Sequence, residues 1–259
     1  MLYPNIDPVA MHIGSWGIRW YGIAYLLGFI WVFFMGKYAI KFKKISWINN
    51  ELYENILVNT MLAVLIGGRL GYILFYQFSL FVRDPWVLFK IWQGGMSFHG
   101  ALIGGLVFLI YYTNKFKIVL LRVTDLIVPW VPLGLGFGRL ANFINGELWG
   151  RPTNDDWGMV FPWVDEKLRH PSQLYEFFLE GVVLSLIMYV IFRKVDKLGF
   201  NTGAFLLLYG VFRFGVEFFR APDQQIGLLF GASFTMGQLL SVPMIVVGMV
   251  LILRLARSL

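Results

Sequence analysis

The chain has 259 residues, of which 58% are hydrophobic and only 14% are charged, whereas soluble domains run to about 25% charged. It has no cysteine, which excludes disulfides, thiolate metal sites and a cysteine nucleophile of its own. The net charge of +7 does not mark a nucleic-acid binder, because the lysines gather in short segments between apolar runs. That pattern reports membrane topology.

A span needs about 20 mostly apolar residues. In chain order seven are read: 18–37, 54–76, 97–114, 119–141, 173–192, 202–219 and 236–254. The residues before the first span lack the charged start and apolar core of a cleavable signal peptide and read as a tail that holds His12. Residues 77–96, with Trp86 and Trp92, read as a short amphipathic element lying along the interface. The fourth span is interrupted by Asp125, Pro129 and Pro132, and membrane helices tolerate proline where neighbours satisfy the freed carbonyls. Residues 142–172 are polar and read as a small periplasm-facing cap. The expected fold class is therefore all-α: one polytopic membrane domain over 1–259 with about seven transmembrane helices.

The connecting segments alternate in charge. One set carries Lys37, Lys41, Lys43, Lys44, Lys115, Lys117, Arg122, Arg193, Lys194, Lys197, Arg254 and Arg257. The other carries Arg19, Arg83, Lys90, Arg151, Lys167, Arg169 and Arg220, diluted by acids such as Asp84, Asp165 and Asp223. The first set is expected in the cytoplasm, with the amino terminus outside and the carboxyl terminus inside.

Arg69, Arg139 and Arg213 lie within apolar stretches. A guanidinium at membrane depth costs roughly 2.5–3.5 kcal/mol on insertion scales. It keeps its charge and offers a fork of donors that suits a phosphate. A cavity lined by such groups calls for an anion, and the abundant anion of a bilayer is a phospholipid headgroup. The densest polar segment runs Gly138-Arg-Leu-Ala-Asn-Phe-Ile-Asn-Gly-Glu-Leu-Trp-Gly150, which places Arg139, Asn142 and Asn145 on one helix face with Glu147 beyond it. The plainer alternative is a packing segment whose arginine snorkels outward. Tyr209, Arg213 and Glu217 form a second stripe, either a structural ion pair or a site. Glu176 and Glu180 share a face of the fifth span and repel unless a proton or a cation intervenes; they answer the arginines or serve catalysis. His99, between glycines at the mouth of the third span, is either structural or a proton acceptor. The three histidines are too scattered for a metal site. Gly67-x-x-x-Gly71 and Gly100-x-x-x-Gly104 read as helix-packing motifs. On the residues alone a lipid-using enzyme, a transporter and a lipid-binding scaffold all remain open, although no internal repeat favours a transporter.

The segment 138–150 resembles the signature of the bacterial phosphatidylglycerol–prolipoprotein diacylglyceryl transferases. So do Trp20-Tyr-Gly22, Gly67-Gly-Arg-Leu-Gly-Tyr72, Gly94-Gly-Met-Ser-Phe-His-Gly100, His170-Pro-Ser-Gln-Leu-Tyr-Glu176 and the run from Tyr209 to Arg220, in the family's order. The resemblance implies a seven-span inner-membrane enzyme. It would move the diacylglyceryl group of phosphatidylglycerol onto the lipobox cysteine thiol of a prolipoprotein and release glycerol phosphate. His99, Arg139, Arg213 and Glu217 are the implied catalytic residues. Arg139, Tyr21, Asn142, Glu147, Gly150 and Tyr209 are the implied phosphatidylglycerol-binding residues. No cofactor, no metal and no nucleic-acid partner are expected, and the chain is expected to be a monomer.

Overall fold

The computed structural model describes residues 1–14, 16–90, 94–222 and 234–257. The expectations placed on Trp92 and Asp223 fall outside the described residues. The elements in order are strands β1 (Val9–Ile13) and β2 (Trp16–Arg19), then helices α1 (Trp20–Phe42), α2 (Asn50–Tyr76), α3 (Phe78–Arg83), α4 (Phe98–Lys115), α5 (Leu120–Ile127) and α6 (Val131–Ile144). Strands β3 (Met159–Val160) and β4 (Leu168–Arg169) follow, then α7 (Ser172–Glu176), α8 (Leu184–Lys194), α9 (Phe200–Val216) and α10 (Met236–Arg257). The protein is a mainly helical integral membrane protein. The strands qualify the all-α expectation: residues 9–19, expected as a tail, form an antiparallel hairpin, and β3 pairs with β4.

Among the described residues, five helical runs are long and apolar enough to cross a membrane: Trp20–Phe42, Asn50–Tyr76, Leu120–Ile144, Ser172–Lys194 and Met236–Arg254. The sixth expected span is the shorter α9, of 17 residues. The third is α4, whose His99, paired tyrosines, Asn114 and Lys115 dilute its apolar character. The interrupted fourth run continues through its prolines by a single 3₁₀ turn, Val128–Trp130, between α5 and α6. Pro129 and Pro132 each stand at the start of a helical turn, where no N–H is missed.

Contacts divide the chain into two compact units, Gly36–Val123 and Met1–Met35 with Thr124–Leu259. In the first unit α2 and α4 cross at their glycines. A Cβ on Gly67 would lie 2.4 Å from Gly100 O, and one on Gly100 would lie 2.3 Å from Gly67 O. These are the close backbone approaches that small residues permit. Arg69, expected in an anion cavity, is instead a clamp. Buried on α2, it donates to the carbonyls of Leu88 (3.3 Å), Val87 (2.5 Å), Lys90 (3.0 Å), Gly95 (3.1 Å) and Gly94. Five acceptors on the 87–95 segment thus satisfy its five N–H groups.

In the second unit Asp125 of α5 caps α9 from 74 to 77 residues away. It accepts from the backbone N–H of Gly199 and, at 2.8 and 2.7 Å, from Thr202 N and Oγ1. The charge that broke the apolar run is therefore spent on a helix N-terminus. Thr235 and Gln238 close α10 with a reciprocal capping box at 3.1 and 3.2 Å. The polar 150–171 segment folds around the β3–β4 pair. The start of the chain joins it: Leu2 pairs with Val160, and Tyr3 packs with Met159 and Phe161. The Tyr3 hydroxyl donates to the carbonyls of Phe143 and Ile144 at the end of α6, and burial raises its pKa.

Candidate active site

The signature segment is a helix end and its turn. Glu147 N donates to Asn142 O (3.0 Å) and Gly146 N to Phe143 O (2.9 Å), a Schellman closure of α6. Gly146 holds φ +65°, and a Cβ there would meet the Trp163 ring at 2.2 Å, so both backbone and space require glycine. Leu148 also has a positive φ of 61°, a rare conformation for a side-chain-bearing residue. The turn is pinned from two sides. Ser172 Oγ donates to Leu148 O (2.9 Å) and Gln173 Nε2 to Glu147 O (2.6 Å). Gly150 N donates to His170 O (2.8 Å), and Arg151 N to Phe219 O (2.8 Å). Within the turn the Asn142 amide donates to Glu147 Oε1 at 2.8 Å, and the Asn145 amide to the same oxygen at 3.4 Å.

Beside the turn lies a buried lattice of ion pairs. Between α7 and α8 the helix widens into a π-helical stretch, Phe177–Val183, which carries Glu180; Glu176 ends α7, and both carboxylates are wholly buried. Such insertions are rare and recur at functional sites. Gly136 of α6 meets Gly181 of the stretch closely, which brings Arg139 against it. Arg139 Nε lies 3.4 Å from Glu176 Oε2, and its Nη2 lies 3.3 Å from Glu180 Oε2. Arg213 of α9 donates to Glu176 Oε1 and lies 3.9 Å from Glu180 Oε1 and 2.8 Å from Glu217 Oε2. Arg220 Nη1 lies 3.3 Å from Glu176 Oε1. Glu217 is further held against the first turn of α10, where a Cβ on Gly237 would fall 2.6 Å from its Cδ. Three guanidinium groups thus face three carboxylates. Removing one partner from such a set leaves a buried charge uncompensated, at a cost of about 3–5 kcal/mol.

The structure brings together Arg139, Arg213, Glu217 and Tyr209, the last lying beside Arg139. It sets Asn142, Glu147 and Gly150 in the adjoining turn, Gly150 bridging to Arg220. Tyr21 stands in the first turn of α1, its ring 5.1 Å from that of Tyr25, which lies within the field of Arg139 and Glu147. His99 belongs to the Gly36–Val123 unit, exposed in the first turn of α4 just after the Ser97 cap. Arg220 corrects the sequence reading: assigned to a loop, it is buried and shared with Glu176. Its place three residues after Glu217, continuing the α9 stripe, was the available signal. Glu176 and Glu180 do answer the arginines, one of the two alternatives that their shared face left open.

The lattice has a direction. The side chains of Arg139 and Arg213 are 18% and 13% exposed, whereas Glu176 and Glu180 are completely enclosed. The two guanidinium groups are thus less enclosed than the two carboxylates they pair with. Guanidinium forks favour bidentate phosphate contact.

The chain matches known proteins over nearly its whole length. The family model described as prolipoprotein diacylglyceryl transferase matches residues 8–254. A protein of Pseudoalteromonas atlantica named phosphatidylglycerol–prolipoprotein diacylglyceryl transferase is 50% identical over 258 residues, covering 98% of this chain and 91% of that protein. Proteins of the same name from Legionella pneumophila strain Corby and Aeromonas hydrophila are 47% identical, over 96% and 97% of this chain and 96% and 91% of their own lengths. The chain belongs to the prolipoprotein diacylglyceryl transferase family.

Proposed function

We propose that this protein transfers the diacylglyceryl group of phosphatidylglycerol to the lipobox cysteine thiol of a prolipoprotein, the first step of lipoprotein maturation. The observation that carries the reading is the buried lattice whose arginines stand outward of their carboxylates, beside the signature turn of the family. In the reaction the thiolate sulfur attacks the glycerol carbon that bears the phosphate. A carbon–sulfur bond forms as the carbon–oxygen bond breaks, and the bonding pair leaves with the phosphate oxygen. The thiol proton ends on the released glycerol phosphate. Arg139 and Arg213 bind the phosphate and neutralise the charge that grows on it, inside a water-poor site where such contacts are strong. Glu176, Glu180 and Glu217 hold the two forks in place before substrate arrives. Tyr209, Tyr21 and Asn142 supply hydrogen bonds to the headgroup or ester groups. His99, or a carboxylate such as Glu217, takes the thiol proton, since the thiolate is the nucleophile.

The same reading sets the protein in the bacterial inner membrane as a single domain of seven spans. The lysine-rich connections and the carboxyl terminus face the cytoplasm, and the amino terminus and the 142–172 segment face the periplasm. The charge asymmetry of the connections supports it. The test is mass spectrometry of a lipobox peptide incubated with purified protein and phosphatidylglycerol in detergent. A diacylglyceryl adduct on cysteine is the expected product. A peptide recovered unmodified, under conditions where the protein stays folded, would overturn the proposal.

A further inference from the structure

Two buried carboxamide oxygens flank the signature turn without a hydrogen-bond partner among the described residues. Gln173 is fully buried, and its Oε1 meets no donor among the described residues. Asn145 Oδ1 is likewise buried and unpartnered. The orientation of both amides is dictated by Glu147. The Gln173 amide nitrogen donates to the Glu147 carbonyl at 2.6 Å, and the Asn145 amide nitrogen approaches the Glu147 carboxylate at 3.4 Å. Turning either amide over would oppose two acceptors, so each oxygen is the atom left free. A buried acceptor without a donor is costly, and such groups in native proteins call for an explanation.

Position supplies one. Gln173 lies one helical turn before Glu176, and Asn145 lies six residues beyond Arg139 at the end of α6. Gln173 thus precedes Glu176 by about 4.5 Å of rise along α7, and both amides are held on Glu147, in the turn that ends the helix carrying Arg139. A ligand whose phosphate sits on Arg139 and Arg213 would bring its headgroup to this place. Phosphate itself has only acceptors to offer here, whereas hydroxyls supply donors without carrying a charge into a buried site.

We propose that Gln173 Oε1 and Asn145 Oδ1 accept hydrogen bonds from the hydroxyls of the lipid's glycerol headgroup, and so select a hydroxyl-bearing donor lipid. Glu147 acts as the positioning residue that aims both. The proposal rests on the transferase reading above and assigns its headgroup selectivity.

The test compares phosphatidylglycerol with phosphatidylpropanol, which has the same charge and no headgroup hydroxyl, as donors to a lipobox peptide. The wild type should favour phosphatidylglycerol by about tenfold or more in kcat/KM, and Gln173→Met should bring the ratio close to unity, as loss of a buried hydrogen bond implies. Asn145→Ala should lower the ratio in the same direction, and it carries the test alone if Gln173→Met does not accumulate. A variant that merely folds poorly lowers both rates and leaves the ratio unchanged. An unchanged ratio in both variants overturns the proposal, as does a wild type that uses the two lipids equally while still making product. Absence of transfer from either lipid would instead sink the transferase reading itself.

Discussion

Arg213 reaches Glu217 at 2.8 Å one turn along its own helix, while its other Nη group reaches Glu176, thirty-seven residues away in sequence. One side chain therefore ties α9 to α7, and Arg139 ties α7 and the π-helical stretch to α6. The helices that carry the site are held at their polar centre by the groups proposed to bind phosphate. Positioning of the arginines and integrity of this unit are thus one property.

Glu176 touches Arg139, Arg213 and Arg220. Glu176→Gln keeps the shape and removes the charge that all three share. We expect kcat/KM to fall at least tenfold and the thermal midpoint to drop, since breaking a buried pair costs about 3–5 kcal/mol. Thermal unfolding in detergent beside peptide-transfer kinetics checks both. Full activity with an unmoved midpoint would show that the lattice does not position the arginines.

For His99→Gln we expect a fall in kcat on the order of 10²- to 10⁴-fold, the usual scale for a lost general base. Stability should be nearly unaffected, because the side chain is exposed. A pH–rate profile of unchanged height and shape would remove His99 from proton transfer.

Two glycines separate folding from function. At Gly150 a Cβ would lie 2.4 Å from His170 O and 2.6 Å from Phe219 O, both backbone atoms of the segments that pin the turn. Gly150→Ala should therefore destabilise by about 1–3 kcal/mol, as overpacking does. At Gly237 the obstacle is the movable Glu217 carboxylate, 2.6 Å from the added carbon at its Cδ. Gly237→Ala should displace Glu217 from Arg213 and lower activity while changing the thermal midpoint less than Gly150→Ala does. The opposite ranking of midpoints would contradict this packing account.

Asp165 accepts from Arg169 at 3.0 and 2.7 Å, and this hydrogen-bonded pair holds its pKa below the usual carboxylate range. A depressed folded-state pKa means that the contribution is complete above the unfolded pKa and is lost as pH falls through the folded one. Both partners keep some exposure to solvent, so the effect is small. Midpoint measurements between about pH 2 and 7 should show the wild type losing an increment that Asp165→Asn lacks throughout. Parallel curves would refute it.

Long apolar runs were legible because hydropathy alone sets them: 54–76 and 236–254 correspond closely to Asn50–Tyr76 and Met236–Arg254. The stripes Arg139–Asn142 and Tyr209–Arg213–Glu217 were legible because polar groups in apolar helices stand out at helical spacing. The N-terminal hairpin was not, since Val9–Ile13 is short and its pairing to Trp16–Arg19 depends on a turn rather than on a long alternating pattern. Arg69 was misread because a guanidinium clamping loop carbonyls looks, in sequence, like one awaiting an anion. The π-helical stretch that carries Glu180 was not legible, since no periodicity of 3.6 residues reveals it. The role of Asp125 depends on a cap made from 77 residues away.

The most direct test of the phosphate clamp follows release of glycerol phosphate from phosphatidylglycerol by purified wild type, Arg139→Lys and Arg139→Ala, each with a lipobox peptide and with its cysteine-to-alanine counterpart. We expect release only with the cysteine peptide, at least tenfold slower in Arg139→Lys and nearly abolished in Arg139→Ala, because an ammonium cannot reproduce the planar fork. Release that persists without the cysteine, or that is indifferent to Arg139, would contradict the account.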